Sequence, residues 1–582
     1  MDGLLAVWWA VSALLYFSFP GLPAILLLKR MRLIGLADGL PLVPVASLSL
    51  SIPATLMSYF LFGARLGAST WGAVTLAITS VCTAMYLMSL RRKGERSKGH
   101  FAWAFSDLMQ RARPVIAQRS AWLLLGIICL ALSFTYMPHL GYPLPLHADE
   151  WHMWADSQGM MGQGAWEFSS PYYGSHVRGS AESGFIMFIG IFQGFSAMDW
   201  PTVFIVLPLI LTAVGVLLAY RLGRLVDAGL ATALFVAMLP TGLRFLGIGL
   251  LVPLGLAFAL VLALILLLSK MKNLALLPAI LTALLFLLLV HPASALTGLV
   301  AMLVFSVAHL TARRWKEGAA LICACAAVLM MALALSSLWV LRTGAGGLSD
   351  ILTSENFILA DVAAETYLKI FGFWLFILGP IGGILLAGER KFPGLALLAI
   401  TVIVGCLSLS FRYVLTRVTN VQALHDRTTF IFFGLAALPS ARGATWLWRA
   451  SKVTAIFALS AAVVASVYVH VATPYYHIIS EEEYRDFIWI RDNLGANYTK
   501  AVLDPWKAVA FAPVTGKLVF YSTHQGVDIG MAEKISAIDA FFGGNCSDTA
   551  FLRDNGVSIV YTETLIDNPL LVEVQPRIYV LR

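Results

Sequence analysis

The chain has 582 residues, 59% of them hydrophobic and 12% charged, with a mean hydropathy of +0.81. A soluble domain carries about a quarter charged residues, so a string of water-soluble domains is excluded and the chain belongs in a bilayer. The net charge of +8 would suggest a nucleic-acid partner only if it lined a soluble face, and its placement is that of a membrane protein.

A helix that crosses a bilayer needs roughly 20 apolar residues, because no backbone group can stay unpaired against lipid. Fourteen runs read as spanning, near 3–28, 41–63, 67–90, 121–138, 201–220, 226–242, 248–269, 273–290, 293–311, 318–341, 369–388, 393–411, 428–447 and 453–472. No basic residue precedes the first run, and Lys29, Arg30 and Arg32 follow it, so it reads as a retained helix with its N-terminus outside. Alternation from that start puts 23 of the 40 lysines and arginines in the inner loops, 8 in the outer loops and 9 in the tail after 473. This asymmetry supports the topology and accounts for the basic balance. The inner segment 91–119, with Arg91, Arg92, Lys93, Arg96 and Lys98, reads as a patch on anionic headgroups.

Residues 184–197 are apolar but too short to span, and read as an interfacial or re-entrant helix inside an outer loop covering 139–200. The three runs before residue 120 form an N-terminal membrane module, and 121–472 a larger one. From 473 the composition turns polar. Ser480 with Glu483 reads as a capping box, followed by Tyr484, Phe487, Ile488 and Arg491 at helical spacing and by Gly495. Strands are expected at 500–503, 517–521, 557–562 and 577–581, with helices near 506–512, 531–542 and 547–555. The fold class is therefore an all-α polytopic bundle with a small C-terminal α/β domain on the exterior face, at the plasma membrane. The six cysteines show neither metal nor disulfide spacing, and five lie in apolar runs.

The outer loop opens with Tyr142-Pro-Leu-Pro-Leu-His147-Ala-Asp149-Glu150-Trp151-His152, and Trp154 follows. Two adjacent carboxylates flanked by histidines at the exit of a membrane helix suit a residue that must take or share a proton. The same residues also suit a helix start, with the acids at its positive end and the aromatics as an interfacial belt. His291-Pro292 ends an apolar run on the same side, either as an interfacial cap or as part of a site. The loop 342–368 carries Asp350, Glu355, Asp361 and Glu365, and Arg412, Arg417, His425, Asp426 and Arg427 gather before the thirteenth run. An arginine there offers a planar fork to a phosphate or anchors to lipid headgroups; Arg427, set directly against an apolar helix, favours the phosphate. Together these groups suit a lipid-phosphate sugar, with a carboxylate to deprotonate an acceptor, arginine to hold the leaving phosphate and tryptophans to stack on sugar rings.

On these stretches the chain resembles the GT-C superfamily of integral membrane glycosyltransferases. The matching residues are His147-Ala-Asp149-Glu150-Trp151, the His291-Pro292 helix end, and Arg427 leading into TTFIFFGLAALPSARG. The resemblance covers about 121–582. It implies transfer of a hexosyl or pentosyl group from a polyprenyl-phosphate donor to a glycan, lipid or protein acceptor, with inversion. It also implies Asp149 as base, Glu150 as its neighbour in acceptor or metal binding, and Arg427 on the donor phosphate, with His147, Trp151, His152, Trp154, His291 and Arg412 around the substrates. Four runs, three of them before residue 120, precede the acidic pair where the family usually has one. Trp8-Trp9 is followed by Ala10, so the Trp-Trp-Asp motif of oligosaccharyltransferases is absent, which favours transfer of single sugars. No cofactor is required on this reading; a divalent cation, should one bind, has His147, Asp149 and His152 as candidate ligands. The other classes the sequence admits are a flippase or transporter of lipid-linked glycans, a glycan polymerase, and an assembly partner in an envelope-glycan complex.

Overall fold

The computed structural model describes residues 2–91, 119–178, 182–242, 246–343, 367, 371–414, 421–472, 475, 477–523, 531–564 and 566–582. The basic segment 92–118, Asp350, Glu355, Asp361, Glu365, Arg244 and Arg417 lie outside them.

The described chain is mostly helical, and every one of the apolar runs contains a helix. Nine helices among the described residues are long and apolar enough to cross a membrane, and the first run is a tenth if the bent pair Gly3–Ser18 and Gly21–Arg30 counts as one span. Up to ten of the fourteen expected runs meet that standard among the described residues, and three of the others fall short in length. Leu274–Val290 and Trp374–Glu389 are shorter apolar helices, and the run 226–242 yields only Gly229–Ala237. At 1.5 Å per residue such a nine-residue helix covers under half of a hydrocarbon layer. Among the described residues 238–242 and 246–252 there is no regular helix, and Leu246, Ile248, Leu250, Leu251 and Val252 are buried. Non-helical backbone is tolerated at membrane depth where protein encloses it; here Thr241 Oγ1 accepts the Gly249 N–H at 2.9 Å.

Ion pairs define one end of the bundle. Asp38 binds Arg221, with a 3.0 Å bond from Nε, and Lys270 at 2.9 Å. Lys391 lies 3.6 Å from Asp227, Arg442 pairs with Glu389, and Arg314 donates to the Met271 carbonyl at 3.2 Å. These residues come from the loops expected on the inner side, and Trp122, Trp315, Trp446 and Trp448 stand exposed beside them, as interfacial aromatics do. From Asp227 at this end the chain reaches Leu251, whose N–H bonds Glu150.

The 184–197 run forms the helix Ser183–Ser196, buried over most of its length. It lies inside protein, with Tyr16 donating to its Phe188 carbonyl at 2.8 Å, so it does not rest on a lipid surface.

The tail carries the expected capping box: Ser480 accepts from the Glu483 N–H, and Glu483 accepts from the Ser480 N–H. Its sheet has five strands, β3 (Lys500–Val502), β4 (Leu518–Val519), β5 (Ile559–Tyr561), β6 (Leu571–Gln575) and β7 (Ile578–Leu581), in the order β4-β3-β5-β7-β6. The pairs β3–β4 and β3–β5 are parallel; β5–β7 and β6–β7 are antiparallel. Strand β6 was not expected from the sequence. A hairpin of β1 (Glu167–Ser169) and β2 (His176–Arg178) sits in the outer loop. The sheet docks on that loop through the Val519 N–H to the Tyr172 carbonyl at 2.8 Å.

Candidate functional site

The Ala148–Gln163 helix begins as the polar sequence suggests. His147 is its cap, its Nδ1 accepting the Asp149 N–H at 3.1 Å. Glu150 completes the cap from the other side. Its carboxylate is fully buried and accepts from the N–H groups of Leu146 at 2.7 Å, His147 at 3.2 Å and Leu251 at 2.7 Å. Burial nevertheless pushes this carboxyl up to about 7, against the pull of the three N–H donors. Glu150, expected beside Asp149 as half of a catalytic pair, is instead a clamp that ties the helix start to the backbone at Leu251.

Asp149 points the other way, toward charge. Arg427 Nη2 stands 3.8 Å from its Oδ2, and His147 Nδ1 3.7 Å from its Oδ1. Its side chain is 8% exposed and that of Arg427 24%, so the arginine is the more open member of the pair. His291 caps Pro292–Thr311: its Nδ1 accepts the Ser294 N–H at 3.2 Å. A neutral ring that accepts at Nδ1 carries its proton on Nε2, and that nitrogen faces Glu182 Oε1 at 3.9 Å. Glu182 directly precedes the Ser183–Ser196 helix and feels Arg427, Asp149 and Asp156. Loss of water raises its carboxyl to about 7, with Asp149 and Asp156 adding and Arg427 opposing. Asp156 lies two helical turns beyond Asp149, on the same face, and burial raises it also to about 7.

The structure thus brings Asp149, His291 and Arg427, from three separate parts of the chain, to one end of the bundle. Glu182 and Asp156 join them and were not singled out from the sequence. Asp156 was legible as the seventh residue after Asp149; nothing in the pattern around Glu182 marks it, since folding alone places it against Arg427.

The other candidates sit apart from this group. Trp151 is fully buried and stacks on Trp154, with ring centroids 5.2 Å apart. Trp154 stacks in turn on Trp200 at 5.7 Å. These rings pack the helix into the core and are not open platforms for a sugar. His152 faces the C-terminal domain, with Nδ1 3.1 Å from the Tyr172 hydroxyl and Nε2 3.3 Å from the Thr523 carbonyl. The cation ligand set of His147, Asp149 and His152 is therefore split, and among the described residues no three His, Cys, Asp or Glu side chains group for a metal. Arg412 donates to the Tyr367 hydroxyl at 2.8 Å, and the same hydroxyl lies 2.8 Å from His425 Nε2. His425 and Arg427, two residues apart on one helix, point about 200° apart, so Arg412 belongs to a network on a different face from the Asp149 pair.

The sequence matches no protein-family model and no curated protein. Solved structures do resemble it. The apo oligosaccharyltransferase of Archaeoglobus fulgidus aligns over 77% of this chain and 70% of its own, at 14% identity and a TM-score of 0.51. The same figures hold for the archaeal oligosaccharyltransferase AglB from Archaeoglobus fulgidus in complex with an inhibitory peptide and a dolichol-phosphate. A form of the Archaeoglobus fulgidus enzyme with Zn and sulfate covers 75% of this chain and 68% of its own, at 15% identity and a TM-score of 0.50. The chain therefore shares the fold of these archaeal oligosaccharyltransferase structures.

Proposed function

We propose that this protein is a membrane glycosyltransferase that moves a sugar from a polyprenyl-phosphate donor to an acceptor at the non-cytoplasmic surface. The observation that carries this reading is the meeting of Asp149 with Arg427, 3.8 Å apart, at the end of the bundle away from the basic loops. A carboxylate to take a proton and a guanidinium to hold a phosphate then lie side by side at helix ends, where a lipid phosphate would be. The acceptor hydroxyl gives its proton to Asp149 as its oxygen bonds the anomeric carbon. The bond from that carbon to the phosphate oxygen breaks with inversion, and the polyprenyl phosphate leaves against Arg427. The archaeal structure that contains a dolichol-phosphate supports a lipid-phosphate ligand for this fold. His291 Nε2 and Glu182 Oε1 stand 3.9 Å apart beside the reacting groups, and Glu150 fixes the helix that carries Asp149. A divalent cation, if used, would be held by Asp149 with other oxygen donors, and no step of this scheme depends on one.

The test is incubation of purified protein with polyprenyl-phosphate mannose, glucose, galactose and arabinose, followed by detection of free polyprenyl phosphate. Release from at least one donor, dependent on an acceptor, is expected; release from none overturns the reading. Arg427→Ala is expected to raise the apparent KM for the donor about tenfold, the loss of one charge-assisted contact. An unchanged KM would remove the phosphate contact.

Activity is also expected to rise with pH through about 7. A carboxyl raised that far keeps its proton below neutrality and loses it above, so ionisation of Glu182 adds a negative charge that favours movement of the acceptor's proton into the site. In Glu182→Gln the rise should flatten, and a pH profile identical to wild type would remove Glu182 from the site.

A further inference from the structure

The helices before residue 92 carry none of the charged groups just described, yet the two elements that present Asp149, Asp156 and Glu182 rest on them. The Ala148–Gln163 helix is fastened at its start by Glu150. Its other end terminates at Gly164, in the left-handed region at φ 67°. The Gly164 carbonyl accepts the N–H of the buried Leu66 at 2.8 Å, and Arg65 Nη2 donates to the Gln163 carbonyl at 3.3 Å. A β-carbon on Gly164 would lie 2.8 Å from Arg65 Nε, so the arginine lies directly across the helix end. Cationic groups are favoured there, where the last carbonyls have no partner within the helix.

The Ser183–Ser196 helix, which follows Glu182, rests on Tyr16. That side chain is fully buried, donates to the Phe188 carbonyl at 2.8 Å, and packs against Phe192 at 5.3 Å and Trp71 at 4.9 Å. Trp71 continues the contact to Phe195 at 5.0 Å. Ser47, on the helix Val43–Phe62, holds the Tyr16 backbone by donating to its carbonyl at 3.1 Å.

We propose that residues 2–91 form the frame that sets the geometry of the site, with Tyr16, Arg65 and Leu66 as its positioning residues. The proposal deepens the transferase reading and rests on it for its kinetic consequence. A helix held at both ends has a fixed rotation about its axis, and that rotation sets where Asp149 and Asp156 point. The contact under Phe188 sets the position of Glu182 relative to them. A misplacement of about 1 Å in a reacting group can cost as much as a hundredfold in rate.

The experiment compares full-length wild type, Arg65→Ala with Tyr16→Phe, and Arg65→Lys. Hydrogen exchange is followed over 160–166 and 183–188, with kcat and KM for whichever of the four donors above is cleaved fastest. In the double variant both segments should exchange faster. Its kcat should fall about tenfold with KM within twofold of wild type and a thermal midpoint close to it, and Arg65→Lys should keep most of the wild-type kcat. Unchanged exchange in both segments, or unchanged kcat, overturns the proposal, as does a kcat loss matched by a general loss of stability. Should wild type cleave none of the donors, the transferase reading fails, while the exchange comparison still decides whether the frame holds these helices.

Discussion

Replacing Asp149 by asparagine is expected to lower sugar transfer roughly a thousandfold, the size of effect that general-base groups supply. The amide keeps the shape of the carboxylate and leaves His147 and Glu150 to cap the helix, so the variant should reach the membrane folded. It cannot accept the acceptor proton, and it removes the charge that Arg427 faces at 3.8 Å. Donor binding should change little, because the freed guanidinium still meets the phosphate. Full activity in membranes carrying Asp149→Asn would remove the base assignment.

Glu150→Ala has the largest effect expected on stability. Its carboxylate satisfies the buried N–H groups of Leu146, His147 and Leu251 together. Leaving buried donors unpaired costs about 1–3 kcal/mol each, so the loss should be about 3 kcal/mol or more, and the thermal midpoint should drop by roughly 2–3 °C or more for a chain of this length. Activity falls with it, because the start of the helix loses its tie to Leu251. The same carboxyl gives stability a pH dependence. Its folded value, about 7, lies above that of a free glutamate. The folded protein therefore holds a proton that the unfolded chain has released, and this contribution is full at acid pH and fades as pH rises through 7. A Glu150→Ala protein as stable as wild type would show that the three N–H groups find other partners.

The parts of the fold that lipid dictates were legible in the sequence. Runs such as 201–220 and 453–472 become the long helices Trp200–Gly223 and Lys452–Ala472, because apolar chain in hydrocarbon has few ways to pair its backbone. The run 226–242 was misread for the converse reason. Its composition is that of a span, but neighbouring protein encloses residues 238–242 and 246–252, so helix is not enforced there. The two capping boxes show a similar contrast. Ser480 and Glu483 match the usual pattern, whereas His147 and Glu150 use an imidazole as cap, and Glu150 was therefore read as chemistry. Trp151 and Trp154, three residues apart on a helix, had the spacing of a core stripe as well as of a platform; the core took them. Asp149, His291 and Arg427 were each visible as a polar residue at a helix end, since a membrane protein keeps few such groups without use. Glu182 shows what pattern cannot give, because its surroundings exist only after the Ser183–Ser196 helix has packed against the helix Leu277–Val290 that ends at His291.

The central claim is that the lipid phosphate of a donor lies between Arg427 and Asp149. A cryo-electron microscopy map of the protein with polyprenyl phosphate tests it most directly. The account expects phosphate density within hydrogen-bond distance of the Arg427 guanidinium, beside Asp149. Phosphate bound instead at the opposite end of the bundle, near Arg221 and Lys270, or found nowhere on the protein at saturating lipid, would contradict it.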